Sequence, residues 1–443
     1  MTSPATLPLF LPCPAGVEAL LGEEVTRLLP GSNARALRGG VAVDGSALDT
    51  MRLNLESRLA QRVLVKVAEG GYRNEDDLYA LAGSVAWGDW IRADQTLRVD
   101  TTAQKSPLKS LHFAALRIKD AVCDRMRDAF GERPSVDTAR PDLPLVLHVG
   151  AERASLYVDS SGEALFKRGW RADTGDAPLK ETLGAAMLAA AGWRGTAESG
   201  GALHDPCCGS GTIVIEAAQI ARGIAPGILR RFAFERLLPF EGAALRADWQ
   251  HMKDEARQRV RAPEVPIFAS DLSFRMVDFA RRNAERAGVA ESIVFNGGDA
   301  LERPAPALPP AMPGTLMLNP PYGERIEVGG KARPRAPTFA SLAAPRGGGG
   351  ALGAARQAPR PPAGPSRDSA EDRATPSDFF ARLATHWKHA YTAHPAGWTA
   401  WILSPDARLP GAMRLKESRR VPMWNGPIEC RLFRFDLVAG SAR

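Results

Sequence analysis

Residues 316–323 read LMLNPPYG, and Asn319-Pro320-Pro321-Tyr322 is the stretch whose residue types best suit chemistry. The apolar run before it predicts a buried strand. Two prolines cannot continue inside a central strand, because proline lacks an N–H and fixes φ. They predict a rigid loop at the strand's carboxyl end, where open α/β sheets place their ligands. Such a loop offers a side-chain amide, backbone carbonyls and an aromatic face. Together these suit a planar base with an exocyclic amine. Asn319 Oδ1 and the Pro320 carbonyl would accept its two N–H groups, Pro321 would keep the loop stiff, and Tyr322 would stack on the ring. A base held in a duplex reaches such a loop only by flipping out.

A second motif, LHDPCCGSGTIVI at 203–215, lies about a hundred residues upstream. Gly209, Ser210 and Gly211 predict a tight turn between a short strand and an apolar helix beginning near Thr212. Glycine lets the backbone adopt positive φ and approach a ligand closely. The turn is not the GxGxxG dinucleotide fingerprint and lacks the lysine of a phosphate-gripping loop. Alone it would be a plain turn. With NPPY behind it and acidic strand ends between, it reads as a cofactor turn. Gly209 to Gly211, with Cys207, Thr212 and Asp205 around them, would hold the amino-acid end of a nucleoside-bearing cofactor. Asp271 ends the apolar run IFASD and would accept from two ribose hydroxyls. As a lone Asp it would more often be a helix cap, but its place after the second strand reverses that weighting. Asp299, at the next strand end, would accept from an adenine amine, with Leu272 or Ala300 against the ring.

These residues need a sheet to position them. From about 179 the alternation of strands and helices predicts a doubly wound domain. Its helices run from Ala177 to before Gly192 and from Ser273 to Ala287, with a later helix over Asp378 to Tyr391. Strand signals follow at 398–403 and 428–437, the last suiting an edge hairpin. Before it, a strand at 7–11, a helix over Pro14–Leu29, and strands at 97–101, 146–149 and 154–158 surround a long amphipathic helix, Ser110–Phe130. Leu111, Ala114, Ala115, Ile118, Val122 and Met126 mark its inner side. The expected organisation is an N-terminal portion 1–44, a compact α+β unit 45–160, a linker or hairpin 161–178, and the doubly wound domain 179–443. Residues 329–376 are dominated by Gly, Ala, Pro and Arg and predict a disordered insertion. The segment FKRGWR at 166–171 suits either RNA contact or packing between the two halves.

The chain has 443 residues, enough for two or three cores, and its 44% apolar and 24% charged residues are those of a globular protein. The net charge of +7 favours a polyanionic partner. Residues 329–376 alone carry eight basic and three acidic residues, a net +5, so the excess does not by itself mark a folded basic face. Lys105, Lys109, Lys119, Arg125 and Arg127 lie near or on the long helix and collectively suit phosphate. The five cysteines fit neither a zinc site nor a disulfide framework, and the vicinal pair Cys207-Cys208 reads as small buried hydrophobes. No secretory signal or membrane span is expected, and the predicted location is cytoplasmic.

NPPY resembles the signature of S-adenosylmethionine-dependent methyltransferases that modify amino nitrogens. The resemblance extends over nearly the whole chain. PCPAGVEALLGEEV (12–25), RLAQRVL (58–64), LFKRGWRADTGDAPLKETLGAAML (165–188), DPCCGSGTIVIEAA (205–218), NPPYGER (319–325) and NGPIEC (425–430) are similar to the bacterial 23S rRNA guanine-N2 methyltransferases with a THUMP domain. That family implies an α/β, Rossmann-like class I methyltransferase domain preceded by an α+β THUMP-type RNA-binding domain, with 1–44 as a ferredoxin-like portion. It implies S-adenosyl-L-methionine as cofactor, 23S rRNA or a large-subunit precursor as partner, and N2-methylguanosine as product, with no metal and no membrane. It also implies that Lys180-Glu181 lie near the cofactor and Glu235-Arg236 near the active face. Three features depart from the family pattern: the insertion after NPPYGER, a single catalytic domain where some relatives fuse a second, and Cys207 in place of a frequent Met. A tRNA guanine-N2 methyltransferase is the nearest rival. DNA or protein-glutamine methylation is disfavoured by the THUMP-like half, and a noncatalytic RNA-binding assembly factor by the intact motif residues.

Overall fold

The computed structural model describes residues 6–175, 178–320 and 376–437. Pro321, Tyr322 and all but the last residue of the segment 329–376 lie outside the described residues. Two sheets organise the chain. The first contains β1 (Leu7–Pro12), β2 (Arg35–Leu37), β3 (Gly40–Gly45), β4 (Leu64–Gly71), β5 (Thr96–Ala103), β6 (Ser135–Val136), β7 (Leu143–Val149) and β8 (Arg153–Asp159), in the order β2-β3-β1-β4-β8-β7-β5-β6. Its pairs are antiparallel except β5 with β6 and β7. The pairing of β1 with β4 continues one sheet from the N-terminal portion into the following unit.

Helices α1 (Glu18–Leu28), α2 (Ala47–Glu56), α3 (Glu75–Gly83) and α4 (Leu111–Phe130) accompany this sheet. α1 begins four residues later than the expected Pro14, because Gly16 at φ +84° turns the chain first. The Ser110 hydroxyl caps α4 by accepting from the Phe113 N–H at 3.1 Å, and Gly131 at φ +76° ends it. Ala114, Ile118, Val122 and Met126 are buried at four-residue spacing, whereas Leu111 in the first turn is exposed.

The second sheet contains β9 (Ala202–Asp205), β10 (Ile267–Asp271), β11 (Ile293–Gly297), β12 (Gly314–Leu318), β13 (Trp398–Ser404), β14 (Arg419–Asn425) and β15 (Ile428–Leu437). Its order is β11-β10-β9-β12-β13-β15-β14. The first five strands of that order are mutually parallel, and β15 and β14 close the sheet as an antiparallel hairpin. Helices α5 (Glu181–Ala191), α6 (Thr212–Ala221), α7 (Ala243–Gln258), α8 (Phe274–Arg286), α9 (Pro376–Ala390) and α10 (Leu409–Met413) surround it. Both faces are covered, so every residue of β12 is buried. The strand order reverses direction between β9 and β12, and the carboxyl ends there form a crevice.

One apolar core runs through both halves. At their seam, Arg58 and Arg168 both pair with the fully buried Glu216 of α6, at 3.2 and 3.0 Å. Arg168 also donates to the Leu165 and Arg58 carbonyls at 2.9 and 2.7 Å. Burying three charges is tolerated only when such bonds saturate them. Trp170 is fully buried as well, so the segment 166–171 packs the halves together. Within that segment, Lys167 remains exposed and pairs with Glu163.

Candidate active site

The end of β9 delivers Asp205 into the turn 206–211. Cys207 N–H donates to Asp205 Oδ1 at 3.0 Å, and Gly209 N–H donates to Asp271 Oδ2 at 2.9 Å, tying the turn to the neighbouring strand β10. Gly209 has φ +52° and Gly211 has φ +91°. A Cβ on Gly211 would lie 3.0 Å from that of Ala280, so the turn presses against α8. At Gly209, by contrast, a Cβ would meet nothing within 4 Å. The backbone there faces open space, which is what a cofactor turn requires.

Asp205 is buried and its carboxyl is pushed well above the usual range, first by burial and further by the Asp271 carboxylate. Burial also raises Asp271, although it accepts from Ser273 N–H at 2.9 Å as well as from Gly209. Among the described residues neither carboxylate has a cationic partner. Asp271 lies opposite Gly297 in the β10–β11 register, and its carbonyl accepts from Gly298 N–H at 3.1 Å. Asp299 follows, with Oδ1 accepting from Leu301 N–H at 2.9 Å. Of the two candidates for an adenine wall, Ala300 is buried in a core cluster and Leu272 is 55% exposed. Phe274 is 78% exposed and its ring lies so close to Gly297 that a Cβ there would come within 2.3 Å. Leu272 and Phe274 therefore stand exposed at the carboxyl ends of β10 and β11. Phe274 was not expected as a site residue, and its only sequence signal is an aromatic in the helical turn after an acidic strand end.

The hydroxyls of Ser210 and Thr212 are already engaged. Arg171 donates to them at 2.8 and 2.6 Å and to Glu181 Oε1 at 2.6 Å. Burial raises the Glu181 carboxyl, against the pull of Arg171. Asn283 of α8 donates to the Ser210 carbonyl at 3.0 Å and to the Asp173 carbonyl at 2.8 Å. Arg171 and Asn283 thus hold the turn from behind. Their bonds were not legible in the sequence, because Arg171 reaches the turn across 39 positions and Asn283 reaches Asp173 across 110. Lys180 caps α5 without a side-chain bond and places its ammonium 5.0 Å from the centre of the Phe166 ring. Arg236 faces the first sheet, donating to the Pro141 carbonyl at 2.8 Å, so it serves the seam and not the strand-end crevice.

Asn319 follows β12, next to β9 in the sheet. Its Oδ1 is buried and has no hydrogen-bond partner among the described residues, and Pro320 after it is buried. An unpaired buried amide oxygen is costly unless a ligand satisfies it. Among the described residues no group of His, Cys, Asp and Glu is arranged to hold a metal, and no helix is long and apolar enough to cross a membrane. Of the vicinal pair, Cys208 is buried as expected and Cys207 is half-buried; Cys13, Cys123 and Cys430 are buried as well. Burial holds the Cys207 and Cys208 thiols protonated.

Three family models match this chain. An RlmL ferredoxin-like domain matches residues 8–64, a THUMP domain residues 72–159, and an RMKL-like methyltransferase domain residues 168–352. A ribosomal RNA large subunit methyltransferase K/L of Syntrophotalea carbinolica is 35% identical over 98% of this chain and 54% of its own length. The protein of the same name from Pseudomonas paraeruginosa is 41% identical over 72% of this chain and 44% of its own. The chain thus spans about half the length of the curated relatives it matches. Among solved structures, SMU.472 in complex with SAH aligns with a TM-score of 0.75 at 24% identity, over 97% of this chain and 98% of that one. TrmN from Thermus thermophilus aligns with a TM-score of 0.60 at 18% identity, over 98% and 100%. These two similarities establish the shared fold.

Proposed function

Because the chain belongs to the family that joins a THUMP domain to an RMKL-like methyltransferase domain, we propose that it methylates the exocyclic N2 amine of a guanine in 23S rRNA, using S-adenosyl-L-methionine. The observation that carries the reading is Asn319 Oδ1, buried with no hydrogen-bond partner among the described residues at the end of β12, on the same sheet edge as the glycine turn and Asp271. In this reading residues 179–443 form the catalytic domain, 45–160 the THUMP-type unit, 1–44 the ferredoxin-like portion and 161–178 the connection. The place of action is the cytoplasm.

The residues fit such a cofactor. The open backbone at Gly209 can take the amino-acid end, in a turn that Asp205, Cys207, Ser210, Gly211 and Thr212 shape. Asp271 can accept from ribose hydroxyls, Asp299 from the adenine amine, and Leu272 can cover the ring. Bound there, the cofactor supplies a methyl group already activated on a sulfonium. Asn319 Oδ1 and the Pro320 carbonyl accept the two N–H groups of the target amine. That aims the nitrogen lone pair and stabilises positive charge as it develops on nitrogen. Pro321 and Tyr322 lie outside the described residues; in this reading the motif assigns them a stiff loop and a ring to stack on the base. Exclusion of water and alignment do the rest, and the proton leaves to solvent without a dedicated base.

The test is methyl transfer from labelled S-adenosylmethionine to separate rRNA and tRNA pools lacking their native marks, followed by nucleoside mass spectrometry. N2-methylguanosine is expected in 23S rRNA and is absent with Asn319→Ala. The same product only in tRNA would reassign the substrate, and no transfer despite cofactor binding would refute catalysis.

A further inference from the structure

A second cleft, of about 140 Å³, opens between the two halves of the molecule. Ala15 and Gln61 of the first half line one wall, and Lys180 and Thr182 at the start of α5 also line the cleft. Trp424 and Gly426, in and after β14, line the opposite wall. The approach of the walls is built in. Gly16 at φ +84° has no room for a side chain, since a Cβ would fall 2.2 Å from the Pro422 carbonyl oxygen. The cleft lies at the ligand edge of the second sheet. Ser404, the carboxyl end of β13, is opposite Arg431, and Asn425 pairs with Ile428, so the β14–β15 turn emerges at that edge. In the strand order it is on the other side of β12 from Asp271. Asn319 stands between the cofactor fittings and this cleft.

Its lining is chemically specific. Thr182 is fully buried, and its hydroxyl has no hydrogen-bond partner among the described residues. Gln61 adds a side-chain amide, Trp424 a half-buried indole, and Lys180 an exposed cation at the rim. A void of about 150 Å³ is enough to take up one benzene ring. A hydroxyl, an amide and an aromatic plane, with a cation beside them, are the groups that read an unstacked base and its phosphate. Four of the segments that carry the family resemblance, at 12–25, 58–64, 165–188 and 425–430, reach this cleft.

We infer that this cleft is a nucleotide subsite for the RNA substrate, taking a single unstacked base against Trp424 beside the Thr182 hydroxyl. It rests on the RNA substrate of the proposed function and adds where one of its bases is read. The cleft is shared by both halves, so the RNA that the first half holds is registered directly against the loop that does the chemistry.

The experiment is photo-crosslinking of the full chain to a 23S rRNA transcript doped with 4-thiouridine and 6-thioguanosine, with the crosslinked peptides identified by mass spectrometry. It is combined with RNA affinity by filter binding and S-adenosylmethionine affinity by calorimetry. Crosslinks are expected on the peptides carrying Trp424 and Thr182. Trp424→Ala should weaken RNA binding about tenfold, as loss of one stacked base does. Trp424→Phe should restore it to within about twofold, and cofactor affinity should stay within about twofold in both. Crosslinks that avoid the cleft, with unchanged RNA affinity in Trp424→Ala, would overturn the inference. So would a cofactor affinity that falls in step with RNA affinity, which would give the cleft to the cofactor. None of these readouts requires methyl transfer. Crosslinking without transfer therefore refutes the proposed reaction alone, and transfer indifferent to Trp424 refutes the subsite alone.

Discussion

The seam between the two halves and the strand-end edge of the second sheet both bury polar groups, but they treat them oppositely. At the seam, Glu216 faces two arginines, and Glu24 accepts from Ser57 Oγ, Arg58 N–H and Leu59 N–H. Asn54 bonds to Ser160 and Ser161 at 2.8 and 2.6 Å. Burial raises the Asp159 carboxyl, yet Arg62 stands against it as an ion-pair partner. At the edge, the buried Asp205 and the half-buried Asp271 accept from N–H donors only, and Asn319 Oδ1 and Thr182 Oγ1 have no partner among the described residues. A saturated network contributes rigidity. An unsaturated one costs stability and is retained where a ligand completes it. Substitutions at the seam should therefore cost folding, and substitutions at the edge should cost binding or turnover.

The largest effect expected is Glu216→Ala. It strands Arg58 and Arg168 in the core and should lower unfolding free energy by about 3–5 kcal/mol. Urea denaturation measures it, and a loss below about 1 kcal/mol would mean the seam cluster is not the stabilising element described. Asn319→Ala is its counterpart. Methyl transfer should fall roughly 100- to 1,000-fold in single-turnover assays. Stability should change by less than about 0.5 kcal/mol, because Oδ1 has no partner to lose among the described residues. A large drop in stability would place Asn319 among the structural residues. Asp271→Asn comes next. S-adenosylmethionine should bind roughly ten- to a hundredfold more weakly by calorimetry, the cost of losing charged hydrogen bonds to the ribose. Unchanged affinity would free Asp271 from that role.

The edge was more legible in the sequence than the seam, and the reason is range. NPPY and the glycine turn are local: proline and glycine constrain their own backbone, and each motif adjoins the strand that positions it. The same holds for α4, whose buried stripe repeats within one helix. Strand-ending aspartates were readable from the apolar runs that precede them. The seam depends on meetings at long range. Arg58 and Glu216 are 158 positions apart, and nothing separates Arg58 from the chain's many other arginines before the fold brings them together. Arg171 was visible as part of a basic-aromatic segment, but its bonds to Glu181, Ser210 and Thr212 were not. Exposure was misjudged at Leu111 in the first turn of α4, and α1 was expected to start four residues too early.

The smallest effect sharpens the contrast most finely, because it concerns one proton. The folded-state pKa of Asp205 is raised well above its unfolded value by burial, and no cation opposes the shift. As pH rises past about 4, the unfolded chain gives up this proton while the folded chain keeps it. The contribution of Asp205 to stability is therefore fully present below the unfolded pKa and is lost as pH rises through the folded value. Asp205→Asn keeps an oxygen for the Cys207 N–H but has no proton to lose. Its stability relative to wild type should climb steadily from about pH 4 toward neutrality. Denaturation curves for both proteins across that range give the difference directly. Parallel curves would show that the carboxyl ionises in the fold as easily as in the unfolded chain, and the edge would then be no less saturated than the seam. A difference that rises with pH would show that the protein accepts a cost at neutral pH to keep a carboxyl beside the cofactor turn.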